Sequence, residues 1–382
     1  MSKWGPVHLG PRMSECQKNW LGAFRVGVRR LHPISTKREI SGKVWIYVLA
    51  LGLVVAIGLL ALLVSSVQVP VADILFILLH KLSGGQISIN VPNNLVTIIW
   101  EIRLPRVLLA LGVGAGLAVS GAAFQGLLRN PLADPYTLGV SSGAALGAVL
   151  VIFFKISLVS FMTLPIFAIA GGLSALVLVF GLTRLSRRGT SIETLVLAGI
   201  IVSAFIGSLI SLLIALSGEE LRGILYWLFG SLSMRGWRYL ALYLPFFVVG
   251  TVVLFLHHRE LNALAFGEEA AYHLGVDVKR KRGLILIGAS LVSGAAVAVS
   301  GTIGFVGLII PHVVRLLVGP DHKHVLPLSM LLGGSFLAVA DMTARTIIAP
   351  QELPVGVITA LVGAPVFAFL LLRANGQRGK SS

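Results

Sequence analysis

Asp341 and Arg345 stand one helical turn apart at the end of an apolar run, the spacing at which a carboxylate and a guanidinium on one helix face can pair. An ionisable group at the edge of such a run needs a partner, and Arg345 is the one this spacing offers to Asp341. Arg103 and Arg106 bracket Pro105 at the start of another apolar run. His312 follows Pro311 near the end of a third. Metal ligation there would need a second His, Cys or carboxylate at ligand spacing; none is present, so a helix-end hydrogen bond is expected. His257-His258 and His322/His324 fall in polar connections and are expected to be solvated.

No catalytic constellation accompanies these groups. Gly-x4-Gly-Lys-Ser/Thr occurs nowhere, so there is no P-loop. Gly112, Gly114 and Gly116 miss the dinucleotide spacing and lie in an apolar run with no strand before it. The Ser/His/Asp or Cys/His sets of a membrane hydrolase are missing too, and the one cysteine, Cys16, makes no internal disulfide. The chemistry on offer is pairing and positioning, not bond making.

The elements that must position these residues are membrane helices. Of 382 residues, 56% are hydrophobic and 12% charged, against roughly 25% charged in a soluble domain. Charge-free runs recur along the chain, many near the roughly 20 residues a helix needs to cross ~30 Å of hydrocarbon. A β-barrel would instead show short alternating segments. The expectation is an all-α polytopic membrane protein with about ten transmembrane helices, over residues 44–67, 107–128, 138–154, 162–183, 192–216, 239–256, 284–299, 303–317, 325–340 and 355–372.

The net charge of +16 sits in tails and short loops, notably 1–43, 184–188, 279–282 and 373–380. That is a positive-inside bias and not a nucleic-acid stripe. Ten spans put these regions on one side, so residues 1–43 are expected to be an uncleaved basic cytoplasmic tail, 44–372 the membrane domain and 373–382 a second cytoplasmic tail. Ala118-Val119-Ser120-Gly121 recurs as Ala298-Val299-Ser300-Gly301; with an odd number of helices between, the halves would be an inverted internal repeat. The run 107–128 carries Gly112, Gly114, Gly116, Ser120, Gly121 and Gly126, small residues that suit close helix packing.

Two connections stand out. Asn130-Pro131-Leu132-Ala133-Asp134-Pro135 breaks the chain between apolar runs. Asparagine tolerates left-handed backbone and bonds its own main chain, which suits a tight turn. Residues 257–282 form a polar segment in which helix formers from Glu268 onward end at Gly275, predicting a short helix. Its apolar edges, Leu261/Leu264 and Leu274/Val276, predict docking onto another surface.

At these residues the chain resembles a known family. GEEAAYHLG looks like the coupling segment of bacterial ABC-importer permeases, which inserts into a groove on a separate ATPase. RLPR, NPLADPYTLGVSSGA, SGTIGFVGLIIPHVVR and ELPVGVITALVGAPVF are similar in order and spacing to the FecCD family, the permeases of iron–siderophore, haem and cobalamin importers. The resemblance covers about residues 44–372 and leaves out the amino-terminal tail.

It implies a ten-span homodimer, or a similar heterodimer, in a bacterial or archaeal cytoplasmic membrane. Two ATP-binding cassette subunits would sit below and an extracytoplasmic substrate-binding protein above. The chain itself would be no enzyme and hold no cofactor, ATP and Mg being bound by the partner. The cargo would be an iron–siderophore-type chelate, with haem or a corrinoid as the alternative. Outside this family, an ion-coupled secondary transporter is the remote alternative, and it would need mid-span carboxylates that the apolar runs lack. Carried over by motif, Arg103, Arg106 and Arg345 would hold acidic residues of the binding protein as exposed pairs, which steer encounter and fix register. Asn130, Leu132, Thr190 and Ser191 would form the cytoplasmic gate. Gly267, Glu268, Glu269, Ala270, Ala271 and Gly275 would engage the ATPase.

Overall fold

The computed structural model describes residues 36–64, 69–85, 91–186 and 191–378; Arg187, Arg188 and Thr190 lie outside them. Met1–Val48 and Leu49–Ser382 are separate compact units, and of the first only helix from Thr36 onward is described. Every extended element among the described residues is helical. We number them α1 (Thr36–Leu63), α2 (Val71–Leu82), α3 (Asn93–Thr97), α4 (Leu104–Leu127), α5 (Val140–Phe153), α6 (Thr163–Leu185), α7 (Ile192–Leu216), α8 (Leu221–Leu228), α9 (Trp237–Leu256), α10 (His258–Ala265), α11 (Glu268–His273), α12 (Val278–Ser300), α13 (Val306–Val318), α14 (His322–Ala344) and α15 (Val355–Arg378). Among the described residues, seven helices are long and apolar enough to cross a bilayer, and α5, α13 and Val355–Leu370 of α15 are shorter apolar helices.

The core is built on the helices with the smallest side chains. The apolar stretches of Asn93–Leu127, α12 and α14 are 83%, 78% and 61% buried, whereas those of α7 and α9 are each 22% buried. A β-carbon at Gly114 would collide with the Gly333 carbonyl, and one at Gly121 with the Gly307 carbonyl. So α4 meets α14 and α13 main chain to main chain, the close approach that small residues permit where lipid gives no hydrophobic drive.

Helix α4 continues α3 through a π turn at Ile98–Arg103. Pro105 removes an amide just beyond that turn, and the wider turn lets the helix run on.

Helices α5 and α13 span only about 20 Å each at 1.5 Å per residue. Each is preceded by irregular chain, residues 128–139 and 301–305, which membrane proteins tolerate only where main-chain groups are satisfied inside the protein. Here Ser203 Oγ donates to Tyr136 O and Ser300 Oγ to Gly301 O, both at 3.1 Å. The second segment is also tied in at its edge, where Ser231 N donates to Ser300 O at 2.7 Å and the Thr302 hydroxyl donates to Leu228 O. The partner in both bonds is α8 and its exit, an eight-residue helix the apolar pattern does not predict. The two matching tetrapeptides occupy unlike settings: Ala118–Gly121 lies mid-helix in α4, whereas Gly301 ends α12 at φ 72°.

Candidate functional site

At the RLPR end the three expected arginines are not exposed. Arg103, Arg106 and Arg345 keep 4%, 8% and 5% of their surface. Arg106 donates through Nε and Nη2 to Asp341, at 3.1 and 2.9 Å, and through Nη1 to Glu352 at 2.9 Å. The expected pair of Asp341 with Arg345 is present but long, 3.5 Å; Arg106 is the closer partner. Arg103 donates to Leu62 O at 3.1 Å and Arg345 to Ala61 O at 2.5 Å. Both therefore satisfy last-turn carbonyls of α1, which a helix end leaves unpaired. Burial works against the charge on Glu352, but Arg106 more than offsets it and holds the carboxyl below its usual range. Beside Glu352 and Arg106 opens a cleft of about 290 Å³, lined also by Glu101, Ser233, Met234 and Arg235.

At the opposite end of α4 the NPLADP turn closes on itself. Leu132 N donates to Asn130 Oδ1 at 2.9 Å, the main-chain bond expected of asparagine. The left-handed residue is Arg129, at φ 49°, and not Asn130. Asp134 Oδ1 accepts from Tyr136 N and Thr137 N, both at 3.0 Å. Burial outweighs these two bonds and pushes its carboxyl up to about 6. Leu132 is 45% exposed at the tip. Ser191 caps α7 by accepting from Thr194 N.

The polar segment forms two helices, α10 and α11. Gly267 at φ 117° and Gly275 at φ 81° bound α11. Gly275 N donates to Tyr272 O and Val276 N to Ala271 O, the paired bonds of a glycine-terminated helix end. The two expected apolar edges part company. Leu261 and Leu264 are buried within the chain, whereas Phe266, Tyr272 and Leu274 are 80%, 72% and 69% exposed. Two of the basic residues after Gly275 are held by this segment's acids: Arg282 by Glu268 at 2.6 Å and Lys281 by Glu260 at 2.7 Å.

The histidine expectations need correction. His322 is 3% exposed and opens α14 behind the N-cap Asp321, three residues before the expected span; its amide and Nδ1 meet Asn262 Oδ1 at 2.9 and 2.8 Å. Pro320-Asp321 was the available signal, since an aspartate cap starts a helix at the next residue. His257 and His258 bond Val253 O and Phe255 O through Nδ1. His312 lies within α13, not at its end, and meets the Phe367 ring edge-on. Among the described residues no three His, Cys, Asp or Glu are grouped to hold a metal.

A cavity of about 560 Å³ opens between the irregular segments and α15, walled by Tyr136, Leu228, Phe229, Thr302, Leu361 and their neighbours. Its lining carries no charged side chain.

Residues 53–373, which contain both ends of this arrangement, match the FecCD transport family. The chain belongs to the FecCD transport family. As a FecCD member it is a multi-span permease of an ABC importer. It is 50% identical over 331 residues to YvrB, an uncharacterized ABC transporter permease protein of Bacillus subtilis (strain 168), covering 86% of this chain and 94% of that one. It is 48% identical over 288 residues to the cobalamin import system permease protein of Halobacterium salinarum, 75% and 77% of the two chains. A solved metal-chelate type ABC transporter in an inward-facing conformation aligns with TM-score 0.72 and 35% identity, over 84% of this chain and 96% of that one.

Proposed function

We propose that this FecCD permease carries a metal chelate of the iron–siderophore kind across the cytoplasmic membrane, driven by ATP hydrolysed on a separate subunit. The observation that carries the reading is α11. A six-residue helix bounded by two glycines at positive φ, together with the residues flanking it, presents Phe266, Tyr272 and Leu274 to solvent, a built apolar knob with no use inside the chain. Gly267 to Ala271 and Gly275 shape that knob for the ATPase, and Glu268 ties it back to α12 through Arg282.

The cavity beside Tyr136 and Thr302 supports passage without tight holding, because a wall free of charge offers a bulky chelate no strong site. Asn130 and Leu132 form the gate at the cytoplasmic mouth, with Ser191 at the cap of α7 as a further member; Thr190, the fourth gate candidate, lies outside the described residues. A second copy of the chain, or a similar one, covers the apolar faces on which Phe205, Leu212, Leu361 and Phe369 are more than half exposed. Both tails, 1–43 and 373–382, then lie in the cytoplasm.

A binding protein docks at the RLPR end. Arg106 serves there in a changed physical form, as a guanidinium already holding Glu352, for which an acidic residue of the binding protein would exchange. Arg103 and Arg345 keep the neighbouring end of α1 in place.

A corrinoid is the second reading, favoured by the Halobacterium salinarum relative; the metal-chelate transporter favours the first. Titrating the cognate binding protein with a ferric siderophore, haem and cobalamin in parallel separates them. For the importer itself, Tyr272→Glu with Leu274→Glu, both at exposed side chains, is expected to abolish co-purification of the co-expressed ATPase. Undiminished co-purification, with uptake that survives ATP depletion, would sink the importer reading.

A further inference from the structure

We propose that Asn262 is the positioning residue that passes movement of the ATPase-facing segment to the NPL gate turn. The inference rests on the coupling role proposed above for residues 266–275. Asn262 lies on α10, which leads into α11 through the bonds of Phe266 N to Ala263 O and Gly267 N to Leu264 O. Its carboxamide is used at both ends by the first turn of α14. Nδ2 donates to Asp321 Oδ1 at 2.7 Å, while Oδ1 accepts from His322 N at 2.9 Å and from His322 Nδ1 at 2.8 Å.

Because a carboxamide oxygen can only accept, His322 Nδ1 carries the proton and Nε2 is left bare. Nε2 is buried without a hydrogen-bond partner, and it lies where a β-carbon on Gly126 would overlap the ring. An imidazole nitrogen left unpaired inside a protein costs free energy, so the ring is held there by the Asn262 bonds and by the space Gly126 leaves. Gly126 is in the last turn of α4. The carbonyl of the residue before it, Gln125, accepts from Asn130 N at 3.2 Å, and Asn130 Oδ1 accepts from Leu132 N. The path from α10 to the gate is therefore continuous: Asn262, His322, Gly126, then the NPL turn.

Two other polar ties of the segment lead elsewhere. Glu268 with Arg282 and Glu260 with Lys281 join it to the start of α12. Leu261 and Leu264 supply burial on this face, but apolar packing does not fix register as a two-ended carboxamide does. Aspartate at 262 would lose the donor and set a second carboxylate against Asp321. Alanine would release all three bonds.

The test uses the full chain assembled with its ATPase, with Cys16→Ser and with Leu132→Cys as a reporter, labelled by a maleimide with and without ATP plus vanadate. In the parent the labelling rate changes several-fold on ATP. In Asn262→Ala the ATPase still co-purifies and hydrolyses ATP, but the ATP-induced change collapses to the rate seen without nucleotide. Gly126→Ala, which displaces the ring from the other side, does the same and decides the matter should Asn262→Ala not assemble. A full ATP response in either assembled variant overturns the inference. A parent with no ATP response overturns it together with the gate assignment, whereas failure of the coupling role shows separately, as an ATPase that still co-purifies with the Tyr272→Glu and Leu274→Glu chain.

Discussion

The two ends of α4 are held by opposite kinds of chemistry. At the RLPR end, formal charges are buried and matched: Arg106 serves Asp341 and Glu352, and Arg103 and Arg345 serve the carbonyls of α1. At the NPL end the partners are neutral: Arg315 donates to Gln125 Oε1 and to Ala122 O, a carboxamide meets an imidazole, and an asparagine bonds its own main chain. Removing one member of a buried ion pair strands the other in a low-dielectric site, whereas neutral hydrogen bonds of about 1 kcal/mol can be exchanged as a structure moves. One end of the helix is an anchor and the other is built to shift.

The comparison can be broken most forcibly at Arg106. Arg106→Ala leaves Asp341, 1% exposed, with only the 3.5 Å contact to Arg345. We expect a loss of about 3–5 kcal/mol, read as a marked drop in the thermal midpoint of the detergent-solubilised protein; a near-unchanged midpoint would show that the RLPR end is no anchor.

A smaller effect is expected at Asp134. Its carboxyl is raised from 3.8 to about 6, so the contribution it makes when protonated is complete below about pH 4 and lost as pH rises through 6. Asp134→Asn keeps an acceptor for the Tyr136 and Thr137 amides and removes the titration. The parent's melting midpoint should fall between pH 4 and 7 by the equivalent of roughly 2 kcal/mol more than the variant's, and parallel profiles would discard the assignment.

The smallest change is at Glu352, whose side chain is 32% exposed. Glu352→Gln should alter stability by less than about 1 kcal/mol. By freeing Arg106 it should also raise binding-protein stimulation of ATP hydrolysis. Reduced stimulation would mean that Glu352, not the arginine, meets the incoming partner.

What the amino-acid pattern makes legible follows from the range of the forces involved. The long helices follow from apolar runs, and α7 matches its expected bounds at both ends. The short helix ending at Gly275 is equally local, since a left-handed glycine announces its own geometry. The partners of Arg106 are not local: Asp341 and Glu352 lie 235 and 246 positions away, so an i, i+4 rule finds Arg345 and misses the stronger bond. His322 was misplaced because hydropathy begins a helix at its first apolar residue, whereas the Asp321 cap begins it three residues earlier. Helix α8 escapes because eight residues covering about 12 Å do not form a span-length run.

The glycine contacts along α4 have a mechanical consequence. Interlocked side chains can change rotamer and absorb a small displacement before passing it on. Where Gly114 faces Gly333 and Gly121 faces Gly307, peptide group lies against peptide group and no rotamer is available to yield. A helix seated in this way leaves little side-chain slack in which a push from α13 or α14 could be lost.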